Sequence, residues 1–333
     1  MQPFNLGRIR FALRCPFCLL EIHSPRTPEQ CPRCKQALPI LYTDEYRSHP
    51  PFFVQVFGWS RVGKTVFLSA LTLMLRKMSK VWPGYAFSPA NEVASQKLEE
   101  INKYLATGTM PSLTQMGMSD IYIMMLQNMA RWGSRALVTR DCAGEVFDNF
   151  QVPVEQAPYL LHAPTTLMFV SLPDLRARED GKSVDMLMQS YINTLRNGNV
   201  DLTREHRKLV VVLTKGDLLE DLPANLQNYL MSDPIWSAVN SRGTVYQLGG
   251  MEMARYMEKM ARVSDAIRAW LLAGDGSWAN FDNLAQSRKI DVRYSVISST
   301  GGPVGEDNAL PTALMPYRVL DPYFWALEFQ SQT

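Results

Sequence analysis

The chain has 333 residues, 46% hydrophobic and 20% charged, an ordinary globular mix that excludes a largely disordered polypeptide. At about 150 residues per domain this length predicts two domains with a core that needs no disulfide staples. The 34 basic and 32 acidic side chains leave a net charge of +2, which does not mark a dedicated nucleic-acid binder.

No apolar run reaches the roughly 18 residues of a membrane-spanning helix. The opening stretch MQPFNLGRIRFALRC has no apolar segment before a small-residue cleavage site. A soluble, cytoplasmic protein is therefore expected.

Four of the five cysteines crowd into positions 15 to 34. Cys15-Pro16-Phe17-Cys18 is followed, after twelve residues, by Cys31-Pro32-Arg33-Cys34. Two CxxC turns can set four thiolates at the corners of a tetrahedron, the geometry zinc takes with sulfur ligands. The twelve residues between them predict a short hairpin, and a segment this small would draw its folding energy from the metal. Residues 1–40 are read as a zinc ribbon with Cys15, Cys18, Cys31 and Cys34 as ligands. His23, beside four available thiolates, is read as a surface residue. A closed four-sulfur site has no open position for water, so it carries no catalysis. Arg8, Arg10, Arg14, Arg26, Arg33 and Lys35 make the region basic. Nucleic-acid contact stays open, with a solvated basic face the simpler reading.

Residues 41–51 read as a linker, and residues 52–329 as one further domain. Apolar runs at 52–57, 121–125, 136–139, 167–171, 209–213 and 292–297 predict six strands. A helix over 64–80 and other helical stretches separate them, which predicts an α/β fold with a mostly parallel sheet. Longer intervals near 81–120 and 218–290 predict insertions. Met253, Met257, Met260, Ile267 and Leu271 recur at helical spacing and predict a core-facing helix over 251–272. Asp321-Pro322 reads as an N-cap and first position of a final helix.

The motifs sit at strand ends. Gly58-Trp59-Ser60-Arg61-Val62-Gly63-Lys64-Thr65 matches G-x-x-x-x-G-K-[ST] between a strand and a helix. Its backbone, including Gly58, Ser60, Arg61, Val62 and Gly63, is expected to cradle phosphates at a helix N-terminus. Lys64 would reach the β- and γ-phosphates and Thr65 would bind Mg²⁺. Asp141-Cys142-Ala143-Gly144 follows another strand, so Asp141 could support Mg²⁺ and the Gly144 N–H could sense the γ-phosphate. Thr214-Lys215-Gly216-Asp217 follows a third. The Asp217 carboxylate could accept from guanine's N1–H and exocyclic amine, whereas adenine's N1 acceptor would leave it unpaired. The Lys215 stem would lie against the base. Ser298 and Ser299, with Thr300, could back the base through main-chain N–H groups.

In this order the motifs resemble those of P-loop GTPases of the translation-factor-like (TRAFAC) class over residues 52–329. That resemblance implies a Ras-like G domain with a six-stranded sheet. With the ribbon, the long insertions and the ending Pro316-Tyr-Arg-Val-Leu-Asp-Pro-Tyr-Phe-Trp-Ala-Leu, the chain is most similar to the bacterial double-GTPase (DO-GTPase) family. The resemblance implies work within multi-gene conflict or anti-phage systems, beside a second GTPase and effector proteins.

Three positions depart from the general GTPase pattern. Glu145 stands where many small GTPases carry a water-orienting glutamine; its carboxylate could orient water or equally repel the γ-phosphate, and slow hydrolysis without a partner is expected. Ser60 stands where a glycine often admits a partner arginine. Arg61 could act as a finger in cis or face solvent. Thr109 and Thr114 are the candidates for the threonine of the first switch, with Thr114 preferred and an ordinary turn threonine an equal reading.

The expected function is a switch that hydrolyses GTP to GDP and phosphate with Mg²⁺, Lys64, Thr114 and Glu145 being the candidate catalytic side chains. The alternative is a nucleotide-gated scaffold with little hydrolysis, whose ribbon holds a protein or RNA. A GTP-driven metal chaperone is a third reading, and complete four-cysteine ligation argues against it. An ATPase survives only if Asp217 does not face the base.

Overall fold

The computed structural model describes residues 11–24, 27–107, 119–142, 158–177, 183–219, 221–241, 248–274, 276–303 and 314–331. An antiparallel hairpin, β1 (Phe11–Arg14) and β2 (Glu21–Ser24), carries the first cysteine turn between its strands, and the bridge Gln30–Ala37 flanks the second. The hairpin thus brackets a turn and does not lie, as expected, within the twelve residues between the two. A short helix, α1 (Ile40–Asp44), lies in the expected linker with Tyr42 buried. The remaining elements build a sheet of seven strands, one more than expected.

In chain order they are β3 (Pro51–Phe57), α2 (Lys64–Lys77), β4 (Ala86–Pro89), α3 (Glu92–Thr107), β5 (Ser119–Met129) and β6 (Gly133–Cys142). There follow α4 (Pro158–His162), β7 (Thr165–Ser171), α5 (Leu172–Ala177), α6 (Val184–Asn197) and β8 (Lys208–Thr214). The insertion helices α7 (Ala224–Met231), α8 (Pro234–Asn240), α9 (Gly250–Leu272) and α10 (Gly276–Ser287) precede β9 (Asp291–Val296) and α11 (Asp321–Ser331).

The sheet order is β4-β5-β6-β3-β7-β8-β9. Every pairing from β6 to β9 is parallel, while β5 runs antiparallel to both its neighbours. Without the edge strand β4 this is the expected Ras-like sheet. The central strands read as continuous apolar runs because both faces are covered. β8, for example, is buried from Leu209 to Thr214. Chain connections leave β3 toward β5 and β6 first and return to β7 on its other side. The C-terminal end of β3 is thus the switch point of the sheet, where an open α/β fold leaves a crevice for ligand.

Helix α2 is buried from Phe67 to Leu75, mostly by apolar residues; its Ser69 and Thr72 hydroxyls are satisfied by the carbonyls one turn back, Thr65 (3.1 Å) and Leu68 (2.7 Å). Helix α9 buries Met253, Met257, Met260, Ile267 and Leu271, the stripe expected to face the core.

Register divides the sheet's two faces. Phe53, Val138 and Ile123 lie side by side on β3, β6 and β5, with Met125 and Ala136 in the next row on the same face. These five join Leu13, Cys15, Leu19, Ile22, Cys31 and Tyr42 in one apolar cluster. The ribbon therefore covers this part of the sheet as a helix would.

The final segment is tied in by a buried polar network. Arg318 donates to the Tyr229 carbonyl (2.8 Å), the Ser232 carbonyl (2.6 Å) and the Tyr256 hydroxyl (3.0 Å). Tyr229 and Tyr256 donate in turn to the two oxygens of Asp321, at 2.5 and 2.6 Å. Asp321 starts α11, but its carboxylate turns inward to these tyrosines, and the expected N-cap bond is not made.

Burial pushes the Asp321 carboxyl up to about 6, against the pull of Arg318 and the two hydroxyls. A folded value above the ordinary 3.8 means that protonation favours the fold. This contribution is complete below 3.8 and is lost as pH rises through about 6. Arg318→Leu strips the carboxylate of its cation. We expect a loss of about 3–5 kcal/mol in urea unfolding at neutral pH, smaller near pH 5, where Asp321 takes up a proton.

Candidate functional site

β3 delivers the chain into the loop Gly58–Gly63, and α2 leaves it. At Gly58 (φ 149°) a Cβ would lie 2.6 Å from the Phe169 carbonyl oxygen of β7, so only glycine passes there. Gly63 (φ 91°) precedes the first turn of α2, and a Cβ on it would meet nothing within 4 Å. The loop is closely backed by β7 below and open above, the arrangement by which main-chain N–H groups can approach an anion. Val62 and Trp59 are buried beneath it, Ser60 is half-buried, and Arg61 is exposed with left-handed backbone (φ 60°).

Lys64 is 6% exposed and its Nζ donates to the carbonyls of Gly58 (2.9 Å) and Trp59 (2.6 Å). The ammonium is thereby held over the loop. Thr65 Oγ1 donates to Asp141 Oδ2 at 3.1 Å, across 76 positions of sequence. A hydroxyl in the first turn of α2 and a buried carboxylate near the end of β6 form a hard oxygen pair of the kind that can support Mg²⁺ directly or through water.

On the other side of the loop, the Thr214 hydroxyl donates to the Val62 carbonyl (2.8 Å) and lies 3.3 Å from that of Val170. Thr214 therefore braces the phosphate loop from below. Lys215 takes left-handed backbone (φ 56°), and its Nζ meets Asp174 of α5 at 3.3 Å. Gly216 packs against Val296 and donates to the Ile297 carbonyl at 3.1 Å. Asp217 follows at the mouth of β8, its Oδ2 buried without a hydrogen-bond partner among the described residues.

The loop after β9 is partly committed to the protein itself. The Ser298 N–H donates to the Tyr317 carbonyl (3.1 Å), and its hydroxyl accepts from Gly301 N–H (2.8 Å). Ser299 and Thr300 are half-buried beside it. Thr109, Thr114, Gly144 and Glu145 lie outside the described residues.

The cysteine turns repeat one pattern. Leu19 N–H bonds Cys15 O and Cys15 N–H bonds Leu20 O; Lys35 N–H bonds Cys31 O and Cys31 N–H bonds Gln36 O. Leu19 (φ 60°) and Lys35 (φ 58°) close the two turns in left-handed conformation. The four sulfurs all lie within 4.8 Å of one another, with Cys15–Cys34 at 3.8 Å and Cys18–Cys31 at 3.6 Å, and none is in a disulfide. A tetrahedron of 2.3 Å Zn–S bonds has S···S edges of about 3.8 Å, so the donor set fits zinc. Burial raises the Cys15 and Cys18 thiols. At Cys31 burial pushes the same way, but the N–H groups of Cys34 and Arg33 outweigh it and hold the thiol near 7.

Sequence reasoning missed two residues. Asp174, which holds Lys215, follows a different strand and belongs to no motif. Trp59 occupies a free position of the phosphate motif, yet it is buried in the main apolar core.

A phosphate loop at the switch point of a Ras-like sheet, with the T-K-x-D turn two strands away, defines a GTPase-like domain. The Double-GTPase 2 family matches residues 53–270, and the chain belongs to that family. It is also 22% identical, over 315 residues, to a protein of Mycolicibacterium smegmatis (strain ATCC 700084 / mc(2)155) named "Putative ESX-1 scaffolding and assembly protein SaeC". That alignment takes in 89% of this chain and 78% of the relative. Among the described residues no helix is long and apolar enough to cross a membrane.

Gly58→Ala forces a methyl group against the Phe169 carbonyl. We expect a loss of about 1–3 kcal/mol of stability and weaker phosphate binding, read by thermal melting with and without nucleotide.

Proposed function

We propose that the chain is a GTP-binding switch that hydrolyses GTP to GDP and phosphate with Mg²⁺. The observation that carries the reading is the buried, unpartnered Oδ2 of Asp217. A carboxylate oxygen left without a donor costs free energy that a two-donor base edge would return. Guanine offers that edge through N1–H and its amine; adenine does not. Residues 52–329 would form the GTPase domain, with Lys64 and Thr65 on the phosphates and metal, Asp141 supporting Mg²⁺, and Gly144 sensing the γ-phosphate. Glu145 and Thr114 would govern the attacking water. The chemistry is positioning and charge stabilisation: water attacks the γ-phosphorus, the bond to the β–γ bridging oxygen breaks, and GDP leaves with that oxygen. The four cysteines would hold a structural zinc in the ribbon of residues 1–40.

We further propose that the switch acts on proteins in a bacterial multi-protein system, in the cytoplasm, beside a second GTPase. The conflict or anti-phage setting follows from the family resemblance. A second reading, a nucleotide-gated scaffold that turns over slowly, is favoured by the assembly role in the name of the Mycolicibacterium smegmatis relative.

Asp217→Asn exchanges an acceptor for a donor. Titration of labelled nucleotides with Mg²⁺ should show GTP and GDP affinity falling by about 100-fold or more, with xanthosine diphosphate, whose C2 carbonyl accepts from the new amide, now preferred. Equal binding of ATP and GTP by the wild type would overturn the reading. Single-turnover hydrolysis separates switch from scaffold: Glu145→Gln should speed a slow wild type, and fast turnover by the wild type alone would remove the need for a partner.

A further inference from the structure

The ribbon is built onto the β5–β6 hairpin, which brings Asp141 to the phosphate loop. β6 carries Asp141, whose carboxylate accepts from Thr65 at the start of α2, and ends at Cys142. β5 and β6 are paired from Ser119↔Cys142 to Met129↔Gly133. A shift of Asp141 is therefore a shift of this paired hairpin. On the hairpin's covered face, Ile123, Met125, Ala136 and Val138 pack in one cluster with Leu13, Cys15, Leu19 and Cys31 of the ribbon.

A polar connection runs beside the apolar one. Tyr159 of α4 is fully buried, and its hydroxyl donates to the Pro16 carbonyl inside the first cysteine turn. Its ring packs edge-on to Phe53 of β3 at 6.3 Å between centroids. The Arg140 guanidinium stands 5.8 Å from the same ring centroid, and Arg140 immediately precedes Asp141, whose carboxylate accepts from Thr65. Helix α4 is itself pinned, because Arg207 donates to the carbonyls of Leu161 (2.5 Å) and Ala163 (2.9 Å). A shift of β6 at Asp141 thus meets a fixed aromatic ring whose hydroxyl holds the metal turn. A second tether uses different hydrogen bonds: Tyr42 donates to the Arg14 carbonyl (2.6 Å), and Tyr46 accepts from the Arg14 N–H (2.9 Å).

We propose that the cysteine ribbon reads the nucleotide state, with Tyr159 as the positioning residue that links the first cysteine turn to the end of β6. The inference rests on the GTP-switch reading above. Because binding linkage is reciprocal, nucleotide changes the hold on the ribbon, and metal in the ribbon changes the hold on nucleotide by the same factor. The ribbon is then the face on which a partner would find the nucleotide state displayed.

The test uses the full chain loaded with zinc and saturated, with Mg²⁺, by GDP or by guanosine 5′-(β,γ-imido)triphosphate. Zinc release to a chromogenic chelator and hydrogen exchange across residues 13–20 are followed in both states. Release and exchange should differ by about fivefold between the two nucleotides. In Tyr159→Phe that ratio should fall below about twofold, while GDP affinity stays within about twofold of wild type. Tyr42→Phe, which removes the bond to the Arg14 carbonyl and leaves the Tyr159–Pro16 bond in place, should speed release in both states and keep the ratio. Equal release and exchange by wild type in both bound states overturns the coupling and leaves the GTP reading standing. A collapse of the ratio in Tyr42→Phe as well overturns the role of Tyr159. Failure of either nucleotide to bind in the same titration overturns the GTP reading and this inference with it.

Discussion

The site depends on one close passage of backbone past backbone. Where Gly58 leaves β3, the Phe169 carbonyl of β7 occupies the space a side chain would need. That contact sets the loop low against the sheet, so that Lys64 can reach back over it to the Gly58 and Trp59 carbonyls. The same seating brings the Val62 carbonyl down to the Thr214 hydroxyl, and so joins the phosphate loop to the T-K-x-D turn. A larger residue at position 58 would disturb both halves of the site together, although only one lies in the phosphate motif.

The buried strands and the motifs were legible because they obey local rules. Continuous apolar runs mark strands covered on both faces, and a glycine-rich turn between strand and helix has few other uses. The repeated CxxC turns likewise encode their own geometry. The short edge strand Ala86–Pro89 was missed because it is only four residues long and its run is not strongly apolar. The helix at Ile40–Asp44 was read as linker because its stability comes from docking Tyr42, not from its own five residues.

Other features depend on partners far away in sequence, which no single-chain pattern encodes. Asp321 followed by Pro322 looks like a helix cap by every local criterion. The two tyrosine hydroxyls that claim its carboxylate come from positions 92 and 65 residues earlier. Tyr159 stands outside every motif, and its bond partner Pro16 is 143 residues away. These are the contacts by which insertions and ribbon are joined to the sheet. They carry what is particular to this chain, whereas the motifs carry what it shares with many nucleotide-binding folds.

Helix α11 has a consequence for how the molecule is made. Residues Asp321 to Leu327 and Phe329 are buried, Phe329 accepts from Lys208 of β8, and Gln330 donates to the Phe53 carbonyl of β3 at 3.0 Å. The central strand and the late helix are separated by 277 positions. During synthesis, β3, β7 and β8 must therefore wait with part of their apolar surface uncovered until almost all of the described chain has left the ribosome. At elongation rates of about 5–20 residues per second that exposure lasts on the order of 10 seconds or more. Over that interval the nascent chain exposes apolar surface of the kind that holding chaperones bind, and a chain truncated before position 321 would lack the helix that covers it.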